Sequence, residues 1–199
     1  SKDFKSIEKQ FVRKENPEAI SQTDFFKNQT VENQESLIHF YDKGYTVIRN
    51  FITPEEADQI NSEIQAMLDN KQIEFKYGNK LMFALHKSAL IKKIGLEPSL
   101  LKLLDVLMDG KTKLFQSINF INGSQQKTHS DSIHMTTFPL GGLIGVWIAL
   151  EDVQADQGAL HYYPGSHKLP YYMNSDYDNN GDSIMLGNKG HKGYEVMLE

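Results

Sequence analysis

A chain of 199 residues, 39% hydrophobic and 24% charged, has the composition of an ordinary globular protein able to bury one sizeable core. Its 26 Asp and Glu outnumber 21 Lys and Arg, and the formal net charge of -5 excludes a basic nucleic-acid groove. Cysteine is absent, which excludes disulfides, thiolate metal sites and cysteine nucleophiles and leaves His, Asp and Glu as metal ligands.

Ser1 to Phe11 is polar, and the longest apolar run, Leu143 to Leu150, is too short to span a bilayer, so a cytoplasmic location is expected. Residues 1–30 are charge-rich with scattered Phe and are expected to form an arm with one helix. Residues 31–199 are expected to form one domain, helical over 31–110 and β over 111–199. Leu37, Ile38 and Tyr41 recur at helical spacing within Val31 to Lys43, and Gly44 follows where a left-handed C-cap sits. A strand is expected at Tyr45 to Ile48. Thr53-Pro54-Glu55-Glu56 combines a cap, a first-turn proline and a capping-box carboxylate, and Ala57, Ile60, Ile64, Met67 and Leu68 continue one apolar face. Further helices are expected near Lys87 to Lys93 and Ser99 to Met108, the second closed by Asp109-Gly110.

From Lys111 onward, Leu114 to Ile121, Ile133 to Phe138, Leu143 to Leu150 and Ala159 to Tyr163 are short β-type runs separated by Gly, Asn, Asp and Pro. Many short strands with such turns fit a sandwich or jelly roll, folds that hold ligands or metals inside. The sequence carries no internal repeat and no low-complexity tract.

His129 and Asp131 are two residues apart, so on an extended strand both side chains emerge on one face and can share a metal ion. Two His and one carboxylate on a face of octahedral Fe(II) leave three positions open for a bidentate co-substrate and oxygen. A His-x-Asp alone equally fits two polar residues in a turn, and the surrounding residues decide between them. The pieces His129-Ser130-Asp131-Ser132-Ile133-His134, Thr137-Phe138-Pro139-Leu140-Gly141, Gly145-Val146-Trp147-Ile148-Ala149-Leu150-Glu151-Asp152, Gly158-Ala159-Leu160 and Pro164-Gly165-Ser166-His167-Lys168 follow in order. Together they resemble the phytanoyl-CoA dioxygenase family, more loosely back to Gly44-Tyr45-Thr46-Val47-Ile48.

That resemblance implies an α+β, mainly β fold: a cupin-like double-stranded β-helix, or jelly roll, with helices packed outside. It implies an Fe(II)- and 2-oxoglutarate-dependent dioxygenase that uses O2 to hydroxylate a C–H bond of a small molecule. His129 and Asp131 are then iron ligands, Trp147 lies on a strand lining the co-substrate pocket, and Asn119 is a hydrogen-bond donor to 2-oxoglutarate. Trp147 also fits plain core packing, and Asn119 a strand-end residue satisfied by backbone.

In the family a second His, in a Gly-Asp then His-Gly context, completes the ligand set, and an Arg beyond it holds the far carboxylate of 2-oxoglutarate. Neither motif is found here, and the only arginines are Arg13 and Arg49. His134, five residues from His129, points away on a regular strand, although a bend at Ser132 would turn it inward. His167 and His161 read as strand-end residues, His191 as a loop residue, and His39 and His86 as part of the helical region. The expectation is that the third ligand and the Arg lie beyond Glu199, and that these 199 residues alone bind iron weakly without turnover. A metal- or ligand-binding pseudoenzyme, and a cupin-type isomerase or hydrolase, are the other readings. Tyr171 to Gly193, with its Asp-rich stretch 176–182, is expected to be a lid over a partly apolar pocket bordered by Phe83, His86, Tyr162, Tyr163, Tyr171 and Tyr172.

Overall fold

The structure, a computed structural model, describes residues 13–171 apart from Ser124, Gln125, Lys127 and Thr136. The chain divides into two compact units. The larger takes Glu15–Gln125 and Val146–Ser166; the smaller is built around Gln126–Gly145, with 13–14 and 167–171 among its described residues.

The larger unit begins with two short helices, α1 (Pro17–Gln22) and α2 (Asp24–Lys27). Asn16 accepts the Ala19 N–H at 3.0 Å to cap α1. Thr23 joins the pair, since its hydroxyl donates to Ile20 O at 2.8 Å and accepts the Phe26 N–H at 3.2 Å. Ile20 and Phe25 are buried, and both helices pack against α3 (Val31–Ile38) and α7 (Pro98–Leu107).

The single helix expected over 31–43 is two, α3 and α4 (Phe40–Lys43), separated at His39, whose ψ of 3° tightens the backbone. Leu37, Phe40 and Tyr41 are all buried across this break. Gly44 closes α4 in the left-handed conformation, φ 80°. The strand expected at 45–48 does not form, because the side chains of α3 take its backbone groups. Val47 N–H donates to Ser36 Oγ at 2.9 Å, Arg49 N–H to Asn33 Oδ1 at 2.9 Å, and buried Asn33 Nδ2 donates to Arg49 O at 3.0 Å.

Helix α5 (Pro54–Asp69) starts at a complete capping box: Glu56 N–H donates to Thr53 Oγ1 and Thr53 N–H to the Glu56 carboxylate. Its inner face, Ile60, Ile64 and Met67, joins Leu81, Ala84 and Ile94 in a core cluster. Around it lies a three-stranded antiparallel sheet in the order β1 (Phe75–Lys76), β2 (Lys80–Met82), β3 (Ile118–Phe120), with Leu81 opposite both Phe75 and Asn119. Helix α6 (Ala89–Gly95) is capped by Ser88 and α7 by Glu97, close to the bounds expected from sequence.

Of the β-type runs in the second half, only 118–120 enters a ladder; 133–138 begins in a 3-10 turn, and 143–150 and 159–163 carry no ladder among the described residues. β-branched and aromatic residues favour a pleated, half-buried surface, but a strand exists only where a neighbour takes its N–H and C=O groups. The described residues therefore show helices and a small antiparallel sheet, and do not by themselves form a double-stranded β-helix. Residues 147–150 still keep the alternation of an extended segment: Ile148 and Leu150 pack on the core cluster, while Trp147 and Ala149 are exposed. No described helix is long and apolar enough to cross a membrane.

Candidate functional site

In the smaller unit, Ser130 is extended (φ -92°, ψ 129°), and the chain then tightens into a 3-10 turn, Asp131–Ile133. One extended residue between His129 and Asp131 sends both side chains the same way. Their Nε2 and Oδ1 atoms stand 3.3 Å apart. The turn is closed by Asp131 O, which accepts the N–H groups of His134 and Met135, each at 3.0 Å. It also does what a regular strand would not: the His134 ring lies edge-on to the His129 ring, centroids 5.1 Å apart at 64°. Gly145 lies beside this carboxylate, which the motif reading missed: a Cβ there would stand in ordinary van der Waals contact with Asp131 Oδ2, at 3.8 Å. The signal was its place at the head of Gly145-Val146-Trp147.

Two donors bound side by side to one metal, each at about 2.0–2.2 Å, are themselves about 3 Å apart, so the 3.3 Å pair fits two neighbouring coordination positions. His129 is 23% exposed and Asp131 59%, which leaves the carboxylate open to solvent and the imidazole mostly enclosed. An imidazole and a carboxylate suit a divalent first-row metal such as Fe(II). Among the described residues, no three His, Asp or Glu side chains are gathered tightly enough to hold a metal together.

The other two candidates belong to the larger unit. Asn119 sits in β3 directly opposite Leu81, so its side chain shares the face of a fully buried leucine. Its Oδ1 is buried and has no hydrogen-bond partner among the described residues. The reading of Asn119 as a residue satisfied by backbone therefore fails at Oδ1, and a buried orphan acceptor is the kind of group that a donating N–H or O–H would satisfy. Trp147 is 53% exposed, which overturns the core-packing reading: the alternation that seats Ile148 and Leu150 on the core turns the indole outward.

The remaining histidines and aromatics are dispersed. His167 lies in a 3-10 turn, Ser166–Lys168, and His161 is exposed. Phe83, with φ 62°, stacks on His86 at 6.0 Å, and Tyr162 packs against Tyr45 at 5.1 Å. His191, Tyr172 and the rest of the expected lid lie outside the described residues. An open groove of about 350 Å³ between α5 and α6 contains none of the predicted site residues. Its Ser88 and Glu63 are hydrogen-bonded to each other, and Ser88 caps α6, so this groove is joined to helix capping rather than to the His-Asp pair.

The family model described as phytanoyl-CoA dioxygenase matches residues 40–195. "Phytanoyl-CoA dioxygenase domain-containing protein 1" of Danio rerio is 23% identical over 183 residues, 64% of this chain and 63% of that protein. The proteins of the same name from Mus musculus and Bos taurus are 27% and 28% identical, over 73% and 75% of this chain but only 44% and 45% of their own lengths. The chain thus spans about half the length of these curated relatives. No solved structure matches. With the matched region covering most of its length, the chain belongs to the phytanoyl-CoA dioxygenase family.

Proposed function

We propose that this protein is an Fe(II)- and 2-oxoglutarate-dependent dioxygenase that hydroxylates an unactivated C–H bond of a small molecule. Family membership supports the reaction class, and the convergence of His129 and Asp131 at 3.3 Å is the observation that carries the reading. When bound, the iron and 2-oxoglutarate supply the oxidising chemistry, with O2 as oxidant. The chain's own part is to hold donors and orient the co-substrate. His129 Nε2 and Asp131 Oδ1 would hold the metal. The Asn119 Nδ2 amide donates to an oxygen of 2-oxoglutarate, and the Trp147 indole borders the co-substrate.

The test is anaerobic titration of protein expressed from the complete coding sequence with Fe(II) and 2-oxoglutarate. A visible metal-to-ligand charge-transfer band is expected, lost in His129→Ala and Asp131→Ala. If no band forms with both residues intact, the reading fails. If metal binds but no 2-oxoglutarate is consumed across acyl-CoA thioesters, compatible solutes and secondary metabolites, the protein is a metal-binding pseudoenzyme instead.

A further inference from the structure

His134 is singled out by its place. A residue five positions from His129 faces away on a straight strand, yet the Asp131–Ile133 turn brings its ring against the His129 ring. It is tied to both presumptive ligands at once. Its backbone N–H donates to the Asp131 carbonyl at 3.0 Å, and its imidazole meets the His129 imidazole edge-to-face at 5.1 Å. A metal-binding imidazole is useful only when its ring plane is held toward the metal, and neighbours that fix that plane matter nearly as much as the ligand.

Resting on the metal-site reading above, we infer that His134 is a positioning residue for the His129-Asp131 pair. The carbonyl that receives the His134 N–H fixes the backbone of Asp131, and the edge-on ring contact restricts rotation of His129, so the two donors are preset at their 3.3 Å separation. His134 acts through the packing of its ring on His129 rather than as a third metal ligand, in keeping with the absence of any three-ligand metal cluster among the described residues.

Aerobically stable Co(II) serves as the probe, with affinity read by calorimetry and site geometry by the cobalt d–d spectrum. In protein from the complete coding sequence, His134→Ala is expected to weaken Co(II) binding roughly tenfold or more and to alter the spectrum. His134→Phe keeps a ring against His129 without a donor nitrogen and is expected to recover most of both. Wild-type behaviour in both variants overturns the inference, and so does a His134→Phe protein as weak as His134→Ala, which would make the nitrogen the active part. If wild type binds no Co(II), or binds it equally after His129→Ala and Asp131→Ala, the metal-site reading itself fails, a result distinct from failure of His134 alone.

Discussion

Replacing Asn119 by Leu separates what this residue does for the fold from what it does for a ligand. In the unliganded protein its Oδ1 is buried without a partner, on the same sheet face as the fully buried Leu81. A buried acceptor left unsatisfied costs about 1–3 kcal/mol, and a leucine of the same branched shape would remove that cost while adding apolar contact. Because the Asn119 side chain is only partly buried, the lower end applies, a gain of about 1 kcal/mol, or roughly 2–4 °C for a protein of this size. The Nδ2 amide of the same side chain donates to 2-oxoglutarate in the reading above, so the opposite sign is expected once Mn(II), a redox-silent stand-in for iron, and 2-oxoglutarate are added. At a hundredfold excess over Kd the wild type gains about 2.7 kcal/mol by mass action, and the variant gains clearly less. Urea unfolding with and without the two ligands measures both effects. A variant less stable than wild type without ligand, or one stabilised equally by 2-oxoglutarate, would refute the role given to Asn119.

Asp105 provides a pH-dependent counterpart. The Lys111 ammonium on Oδ2, with the Thr112 N–H and hydroxyl on Oδ1, holds its carboxyl at about 2, below the ordinary 3.8. The folded value is the lower one, so the contribution is complete above about pH 5 and is lost as pH falls toward 2. The shift corresponds to roughly 2 kcal/mol, and about 1 kcal/mol is expected because Lys111 is 84% exposed and screened. Asp105→Asn should therefore lie about 1 kcal/mol below wild type at pH 7, with the gap about half as large at pH 3; a gap constant with pH would contradict this. Thr53→Ala breaks the capping box of α5 and is expected to cost about 1 kcal/mol in urea unfolding, while Glu55→Ala beside it leaves the box intact and costs less.

The parts of the fold that were legible in sequence are those decided within one helical turn. The start of α5 is fixed by Thr53 and Glu56, which satisfy each other, with Pro54 preset for the first turn, and the end of α4 by the left-handed Gly44. The break at His39 was not legible, because Leu37, Ile38 and Tyr41 keep helical spacing whether or not the backbone tightens between them. Nor was the fate of 45–48, where the choice between a strand and an irregular segment rests on Asn33 and Ser36 reaching across from α3. Strand content after Lys111 was overread for the related reason that a β-prone run says nothing about which neighbour will pair with it. The site shows the same division. His129 and Asp131 needed only one extended residue between them, whereas the inward turn of His134 needed the Asp131–Ile133 bend.

This division has an energetic consequence that can be measured. The geometry of the proposed metal pair has a local part, because the Asp131 carbonyl closes the 131–133 turn and the His134 ring lies against that of His129. The residues proposed for the co-substrate depend on distant partners. Asn119 is placed by its register with Leu81, and Trp147 is turned outward because Ile148 and Leu150 pack on the cluster that Leu81 and Ile64 help to form. Leu81→Ala leaves a cavity beneath both and is expected to cost about 2–5 kcal/mol of stability. Below the unfolding temperature of the variant, its metal affinity should stay close to that of the wild type, because the turn that presents both donors is closed by its own Asp131 carbonyl. Its affinity for 2-oxoglutarate should fall, because the face presenting Asn119 and the segment presenting Trp147 both lose their support. Parallel titrations with Mn(II) alone and with 2-oxoglutarate in saturating Mn(II) separate the two. An equal loss of both affinities would mean that the metal pair, too, is held by the distant core, and that its apparent local construction does not set its strength.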